Sequence, residues 1–283
     1  MPVRNSPTAR QLRIGVELRR LRERAGMTST EAGRLLGTNQ TQISNIEASR
    51  IGVSADRLRT LARNYSCSDE SLINGLISMI GDRKRGWWEE HRDSLPANLI
   101  DLAEIEHYAT GVRVSQVINI PGLLQTPEYA RAIFREAVPP LLPHEIEYRI
   151  SHRIKRQAIL FRDNPPPYTA TIHEAALRMQ FGGPAASKAQ LDHVISMSER
   201  DNVTVLVIPF DGTSFPSAGH GIDYLQGPVP QLDTALIDTA HNGTLIDATA
   251  QLERCHLVLD RMEGAALKPD PSRDLIRRIA QGI

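Results

Sequence analysis

The sequence predicts a multidomain chain, α followed by α/β: an all-α head and a larger body built on a mixed sheet. Three observations carry that expectation. Residues 28–47, TSTEAGRLLGTNQTQISNIE, space their capping, apolar and turn residues as two short helices joined by a sharp reversal. Residues 203–208, VTVLVI, form a continuous β-branched apolar run of the kind a buried central strand uses. Around that run helical periodicities alternate with short strands, the order of a layered α/β unit. At 283 residues, 41% of them hydrophobic, the chain has room for a small domain and a larger one.

In the head, Ile14, Leu18, Leu21 and Ala25 recur at helical spacing and predict a first amphipathic helix. Thr28 and Glu31 stand at the spacing of a capping box, so a second helix should begin near Ser29. Ala32, Leu35 and Leu36 give it an apolar face, and Gly33 leaves room for the next helix to cross closely. Gly37 supplies the reversal, because glycine takes a positive φ without a Cβ clash. Ile43 and Ile46 then turn a third helix inward. Asn39, Gln40, Thr41, Gln42, Ser44 and Asn45 are left outward, short amides and hydroxyls able to donate to and accept from base edges. Ser54 is placed to cap a further helix carrying Leu58, Leu61, Ala62 and Tyr65. A module of about 65 residues is just large enough to fold alone.

Charge divides the same way. Residues 1–65 hold 12 Arg and no Lys against five acids, a net of +7. The remainder holds 21 basic and 28 acidic residues, a net of −7, so a neutral total hides a basic head on an acidic body. A basic head suits phosphate, since charge neutralisation with counterion release supplies most non-specific affinity for DNA.

The motif ELRRLRERAGMT, followed by LLGTNQTQISNIE, resembles the XRE-type regulators, a family of phage-repressor-like helix-turn-helix domains. That resemblance implies base contacts from Gln40, Thr41 and Asn45 and phosphate contacts from Ser29, Gln42 and Arg50. The chain departs from the family at Ser29, Thr38 and Ser49, where Gln, Val and Gly are frequent.

Beyond the head, residues 68–79 read as a helix and are followed by Arg83, Lys84, Arg85, Gly86, Trp87 and Trp88. That cluster could touch DNA or a partner, but the favoured reading is rings packed at the domain junction with solvated charges beside them. Helices are expected over 95–107, 126–136, 143–161, 174–180, 184–200, 247–264 and 272–281. Strands are expected over 112–120, 168–172, 203–208, 221–225 and 234–238. The organisation expected is a head at 1–80, a helical connector at 81–110 and an α/β body at 111–283. Thr126 should cap a helix whose first residue is Pro127. On the helix around residue 153, Ile146, Ile150, Ile154 and Ala158 form an apolar stripe, with Arg149, His152, Arg153 and Arg156 on the other side. Arg149, Arg153 and Arg156 fit an acidic partner or an anionic effector, and equally a solvated face of intrahelical ion pairs.

The segments PGLLQTPEYA, RIKRQ, EAALR and NVTVLVIPF lie in a stretch, 87–279, that resembles the uncharacterised C-terminal domain following an XRE-type head in many actinobacterial regulators of WhiJ-like type. The resemblance implies a transcriptional regulator, often paired with a small companion protein encoded nearby, and implies no ligand and no catalytic residue.

Catalytic motifs are missing from the sequence. His173 beside Glu174 stands in HEAAL rather than HExxH, His220 and His241 lie in glycine-containing loops, and neither GxSxG nor GxxxxGK[ST] occurs. No enzyme activity, cofactor or metal is therefore expected. The glycine-rich loop over 210–221 reads as a pocket rim, which leaves a small-molecule effector open. Cys67 and Cys255 are read as reduced and structural. No apolar run approaches the roughly 18 residues of a membrane span, and the start of the chain lacks an apolar signal segment. The expectation is a cytoplasmic, nucleoid-associated protein that binds double-stranded DNA at a palindromic operator as a homodimer. Its body would receive a signal from a companion protein. Antitoxin-like neutralisation of a companion and small-molecule sensing are the alternatives.

Overall fold

The computed structural model describes residues 7–81, 86–212, 214–216, 219–238 and 243–283. Contacts divide the chain into two compact units, Met1–Gly86 and Trp87–Ile283. The stretch expected to be a connector is therefore shared, with everything from Trp87 onward packed into the body.

The first unit consists of α1 (Ala9–Arg24), α2 (Ser29–Leu35), α3 (Gln40–Glu47), α4 (Ala55–Asn64) and α5 (Glu70–Gly81). Each of the first four is started by a side chain. Thr8 and Thr28 make capping boxes with Gln11 and Glu31, Asn39 Oδ1 accepts from the Gln42 amide at 2.9 Å, and Ser54 Oγ accepts from the Arg57 amide at 3.3 Å. Leu18, Ile43, Leu58, Leu61 and Leu76 form a core closed to solvent. One expectation fails: Leu35 is 49% exposed, because α2 is so short that only Ala32 and Gly33 face inward.

The second unit opens with a 3-10 turn, Trp87–His91, and continues through α6 (Ala97–Tyr108), β1 (Gly111–Gln116), α7 (Pro127–Arg135), α8 (Pro143–Gln157) and β2 (Tyr168–His173). It then runs through α9 (Glu174–Arg178), α10 (Gly183–Met197), β3 (Val203–Ile208), β4 (Ile222–Gln226), β5 (Thr234–Ile237), β6 (Thr244–Ile246), α11 (Thr249–Ala265) and α12 (Pro269–Gln281). The strands form one mixed sheet in the order β3-β2-β1-β4-β5-β6. β1, β2 and β3 pair in parallel, while β4, β5 and β6 join antiparallel to the β1 side. The tryptophans pack this unit: Trp88 is buried with its ring 5.0 Å from His107, and Trp87 lies 5.4 Å from His152. The basic residues 83–85 fall outside the described residues.

Two sequence expectations are corrected here. The VTVLVI run, β3, is buried but lies at the sheet edge rather than the centre. At its free edge Val207 is paired from outside the sheet: its N–H donates to Ser272 Oγ at 2.9 Å, and its carbonyl accepts from Leu267 N–H at 2.9 Å. Covering an edge in this way lets it be apolar without inviting another strand. The stripe on α8 is also only half right. Ile146 and Ile150 are buried, but Ile154 is 38% exposed and Ala158 is exposed, whereas His152 and Arg156 point inward.

The segment PGLLQTPEYA is spent on buried backbone. Thr126 caps α7, Gln125 Nε2 donates to Ile120 O at 2.6 Å, and the buried Tyr129 hydroxyl accepts from Ile120 N–H at 3.3 Å. Gln190, fully buried, accepts from Thr126 N–H and donates to Leu124 O, both at 2.7 Å. These residues satisfy polar groups that would each be costly to bury alone.

Candidate functional site

In the first unit, close helix contacts determine what α3 presents. A Cβ on Gly15 would lie 2.2 Å from Glu47 O, so only glycine lets α1 meet the end of α3. A Cβ on Gly33 would lie 2.8 Å from the carbonyl carbon of Asn39, as the sequence suggests for a close crossing. Gly37 makes the intervening turn at φ +70°. At the other end of α3, Ser49 takes φ +54°, the left-handed conformation that glycine adopts most readily, and its hydroxyl donates to Gln11 O at 2.8 Å. Arg22 clamps the same end through a two-point pair with Glu47, Nε to Oε1 at 2.6 Å and Nη2 to Oε2 at 3.0 Å.

The outward residues of α3 are placed unequally. Gln40, Thr41 and Ser44 are exposed, and Asn45 is half-exposed. Thr30 Oγ1 donates to Gln40 Oε1 at 3.3 Å, which orients that amide. Asn39 is exposed but its side chain is committed to capping. Gln42 is half-buried and hydrogen-bonded to the Thr38 hydroxyl; with its amide donating there, its carbonyl oxygen accepts from Arg57 Nη1 and Nη2 at 3.2 and 3.3 Å. Ser29 is the half-buried first residue of α2, and Arg50 is exposed just beyond α3 with no ion pair among the described residues. Arg57 is a cation beside α3 that sequence reasoning missed; only its position three residues after the Ser54 cap hinted at an orientation.

In the second unit, the three arginines expected to cluster do not behave alike. Arg149 is half-buried and makes no ion pair among the described residues. Arg156 is buried and paired at two points with Glu106, at 2.7 and 2.5 Å. Arg153 is half-buried, donates to Gln125 Oε1, and lies 5.0 Å over the Phe134 ring. Burial, together with the charge of Arg156, pulls its pKa down to about 10. Neither a wholly solvated face nor an exposed basic patch describes this helix.

Facing these arginines is a carboxylate that the sequence reading passed over. In register across the sheet stand Val205, Ala170, Val114, Asp223, Leu236 and Leu245, one acid in an otherwise apolar row. Asp223 Oδ1 is buried with no hydrogen-bond partner. Burial, then the charges of Asp238 and Glu106, push its pKa up to about 7. A cavity of about 170 Å³ opens here, lined by Arg153, Arg156, Asp223, Asp238, Gln116 and Asn119 among others.

The histidines weighed for chemistry have structural partners or none. His173 Nδ1 accepts from Ala175 N–H at 3.2 Å and its ring sits between Phe210 and Phe215, while Glu174 accepts from Phe210 N–H at 2.8 Å. His220 is exposed, and His241 falls outside the described residues. Cys67 and Cys255 are free thiols. Among the described residues no group of three or more His, Cys, Asp or Glu could hold a metal ion, and no helix is long and apolar enough to cross a membrane.

Comparison with known families matches residues 13–72 to a helix-turn-helix domain and residues 99–278 to a domain of unknown function, DUF5753. No curated protein and no solved structure matches. The helix-turn-helix match spans α2 and α3 with the helices that hold them, and the second match runs from α6 into α12, well over half of the chain. The chain belongs to the DUF5753 family, with a helix-turn-helix domain at its head.

Proposed function

We propose that this protein is a sequence-specific DNA-binding transcriptional regulator with no catalytic activity. The observation that carries the reading is α3, which offers Gln40, Thr41, Ser44 and Asn45 to solvent while Gly15, Gly33 and the Arg22–Glu47 pair hold it in place. Amides and hydroxyls on a rigid helix suit major-groove base edges, and the exposed Arg50, with Ser29 and Gln42, suits the flanking phosphates. The +7 charge of residues 1–65 supplies the sequence-independent share of affinity.

One recognition helix reads few base pairs, so two copies on half-sites about one DNA turn apart are needed for high specificity. The acidic body is the natural place for a homodimer contact and for a small companion protein, the arrangement of WhiJ-like actinobacterial regulators. A cytoplasmic, nucleoid-associated location follows from this role. The test is fluorescence anisotropy of the purified full chain on the DNA upstream of its own coding sequence and on a shuffled control, across a salt series. Tight binding to the upstream DNA alone supports the reading. Equal binding to both overturns it.

A further inference from the structure

The cavity in the body holds two groups whose needs the protein leaves open. Arg153 donates to a neutral amide and stacks on Phe134, but no carboxylate pairs with it among the described residues. Asp223 Oδ1 is buried without a partner in a row that is otherwise apolar. Both line the same cavity and they are not bonded to each other. A half-buried guanidinium with no ion pair among the described residues and a buried carboxylate oxygen without a donor are each costly, and natural proteins rarely keep such groups where they serve nothing. The nearest acid–base pair, Arg156 with Glu106, is hydrogen-bonded within itself.

The cavity opens beside the C-terminal end of β1, where the parallel β2 and the antiparallel β4 flank it. Gln116, the last residue of β1, and Asn119 just beyond it line the cavity. Gln116 Nε2 donates toward Asp238 Oδ2 at 3.4 Å, which brings a second carboxylate to the same wall. Opposite, a Cβ on Gly122 would lie 3.3 Å from Arg153 Nη1, so the guanidinium is seated closely on the turn after β1. The space, about 170 Å³, is enough for a small polar molecule.

We propose that this cavity is a binding site for a small zwitterion, its carboxylate held by Arg153 and its ammonium group by Asp223 and Asp238. Only a molecule with both an acceptor and a donor cation answers both open groups at once. The site makes the body a sensor of an amino acid or a compound of that class. This goes beyond the DNA reading and does not depend on it.

The test uses the full chain, with the standard amino acids as probes at millimolar concentration, and acetate, inorganic phosphate and methylamine as single-charge controls. Binding is read by thermal shift and by titration calorimetry, so that it does not rest on melting alone. At least one amino acid should bind saturably, and none of the controls should match it. Asp223→Asn, which removes a buried charge and should fold at least as well, and Arg153→Lys, which keeps the charge but loses the fork, should each weaken that binding about tenfold to a hundredfold. Absence of binding by every amino acid overturns the proposal. So does a control anion that binds equally to the parent and to Asp223→Asn, which would make this an anion site. Loss of DNA binding with amino-acid binding intact would count against the regulator reading alone.

Discussion

Arg156 on α8 and Glu106 on α6 form a two-point ion pair inside the body, with side chains only 5% and 4% exposed. A pair of this kind gains less from its attraction than its loss would cost, because removing one partner strands the other charge away from water. Arg156→Met should therefore destabilise the chain by about 3–5 kcal/mol. Adding Glu106→Leu should return most of that stability, since an apolar pair of similar volume carries no stranded charge. Urea denaturation of the two variants at neutral pH checks this. If the double variant is as unstable as the single, packing rather than the stranded carboxylate is the cause.

Stability of the body should depend on pH with two opposed slopes. Burial, then the charge of Arg156, pulls His152 down to about 3, so in the folded chain it stays neutral while the unfolded chain takes up a proton below about 6.5. Its contribution is full above that value and is lost as pH falls, and His91 and His193, also lowered by burial, act in the same direction. Asp223 acts oppositely. With its folded value near 7, its stabilising proton is present below about 4 and lost as pH rises toward 7. Each slope is at most about 1.4 kcal/mol per pH unit. Melting temperature followed from pH 4 to 8 should show His152→Asn flattening the loss on acidification. The advantage of Asp223→Asn over the parent should grow from about pH 4 and level off above about 7.

Gly15→Ala should unseat α3. The added Cβ would meet main-chain atoms of Glu47 at 2.2 and 2.8 Å, which cannot swing aside as a side chain would. A loss of about 1–3 kcal/mol, typical of overpacking, is expected in the helix-turn-helix unit. Gly52→Ala, where nothing lies within 4 Å, is the matched control and should change stability by less than about 0.5 kcal/mol. Circular dichroism melting of both variants settles the comparison.

Local chemistry made the head legible and long-range packing kept part of the body hidden. Thr28 with Glu31, Gly37, Ser54 and the pair Thr126 and Pro127 act within a few residues of themselves, and each does what its spacing announces. Gly15 has no such local signature, since its partner Glu47 is a turn-crossing contact that no periodicity encodes. The VTVLVI run showed burial but not position, because a strand covered on both faces and sealed along its edge by Ser272 and Leu267 reads like a central one. Asp223 was the accessible miss. A strand expected over 221–225, GIDYL, in a sheet covered by helices turns alternate residues to opposite faces, and the acid falls on the face shared with Val114. The inward turn of Arg156 could not be foreseen, because it depends on Glu106 fifty residues earlier.

On the proposed function, variants of α3 and its surroundings should separate into two kinds. Asn45→Ala and Gln40→Ala remove groups offered to base edges, and each should cost about 1–3 kcal/mol on the operator while relaxing preference at one base pair. Arg50→Ala removes an exposed cation with no ion pair among the described residues. It should weaken every DNA alike and lower the slope of log K against log salt by about 1. Gln42 falls with the second kind although it lies on the reading helix, because its carbonyl oxygen holds the Arg57 guanidinium at 3.2 and 3.3 Å. Gln42→Ala should accordingly imitate Arg57→Ala, weakening operator and shuffled DNA by similar factors. Anisotropy titrations of the five variants on operator, single-base-pair substitutions and shuffled DNA distinguish the classes. Were Asn45→Ala and Arg50→Ala to weaken all sequences equally, the assignment of base readers on α3 would be wrong.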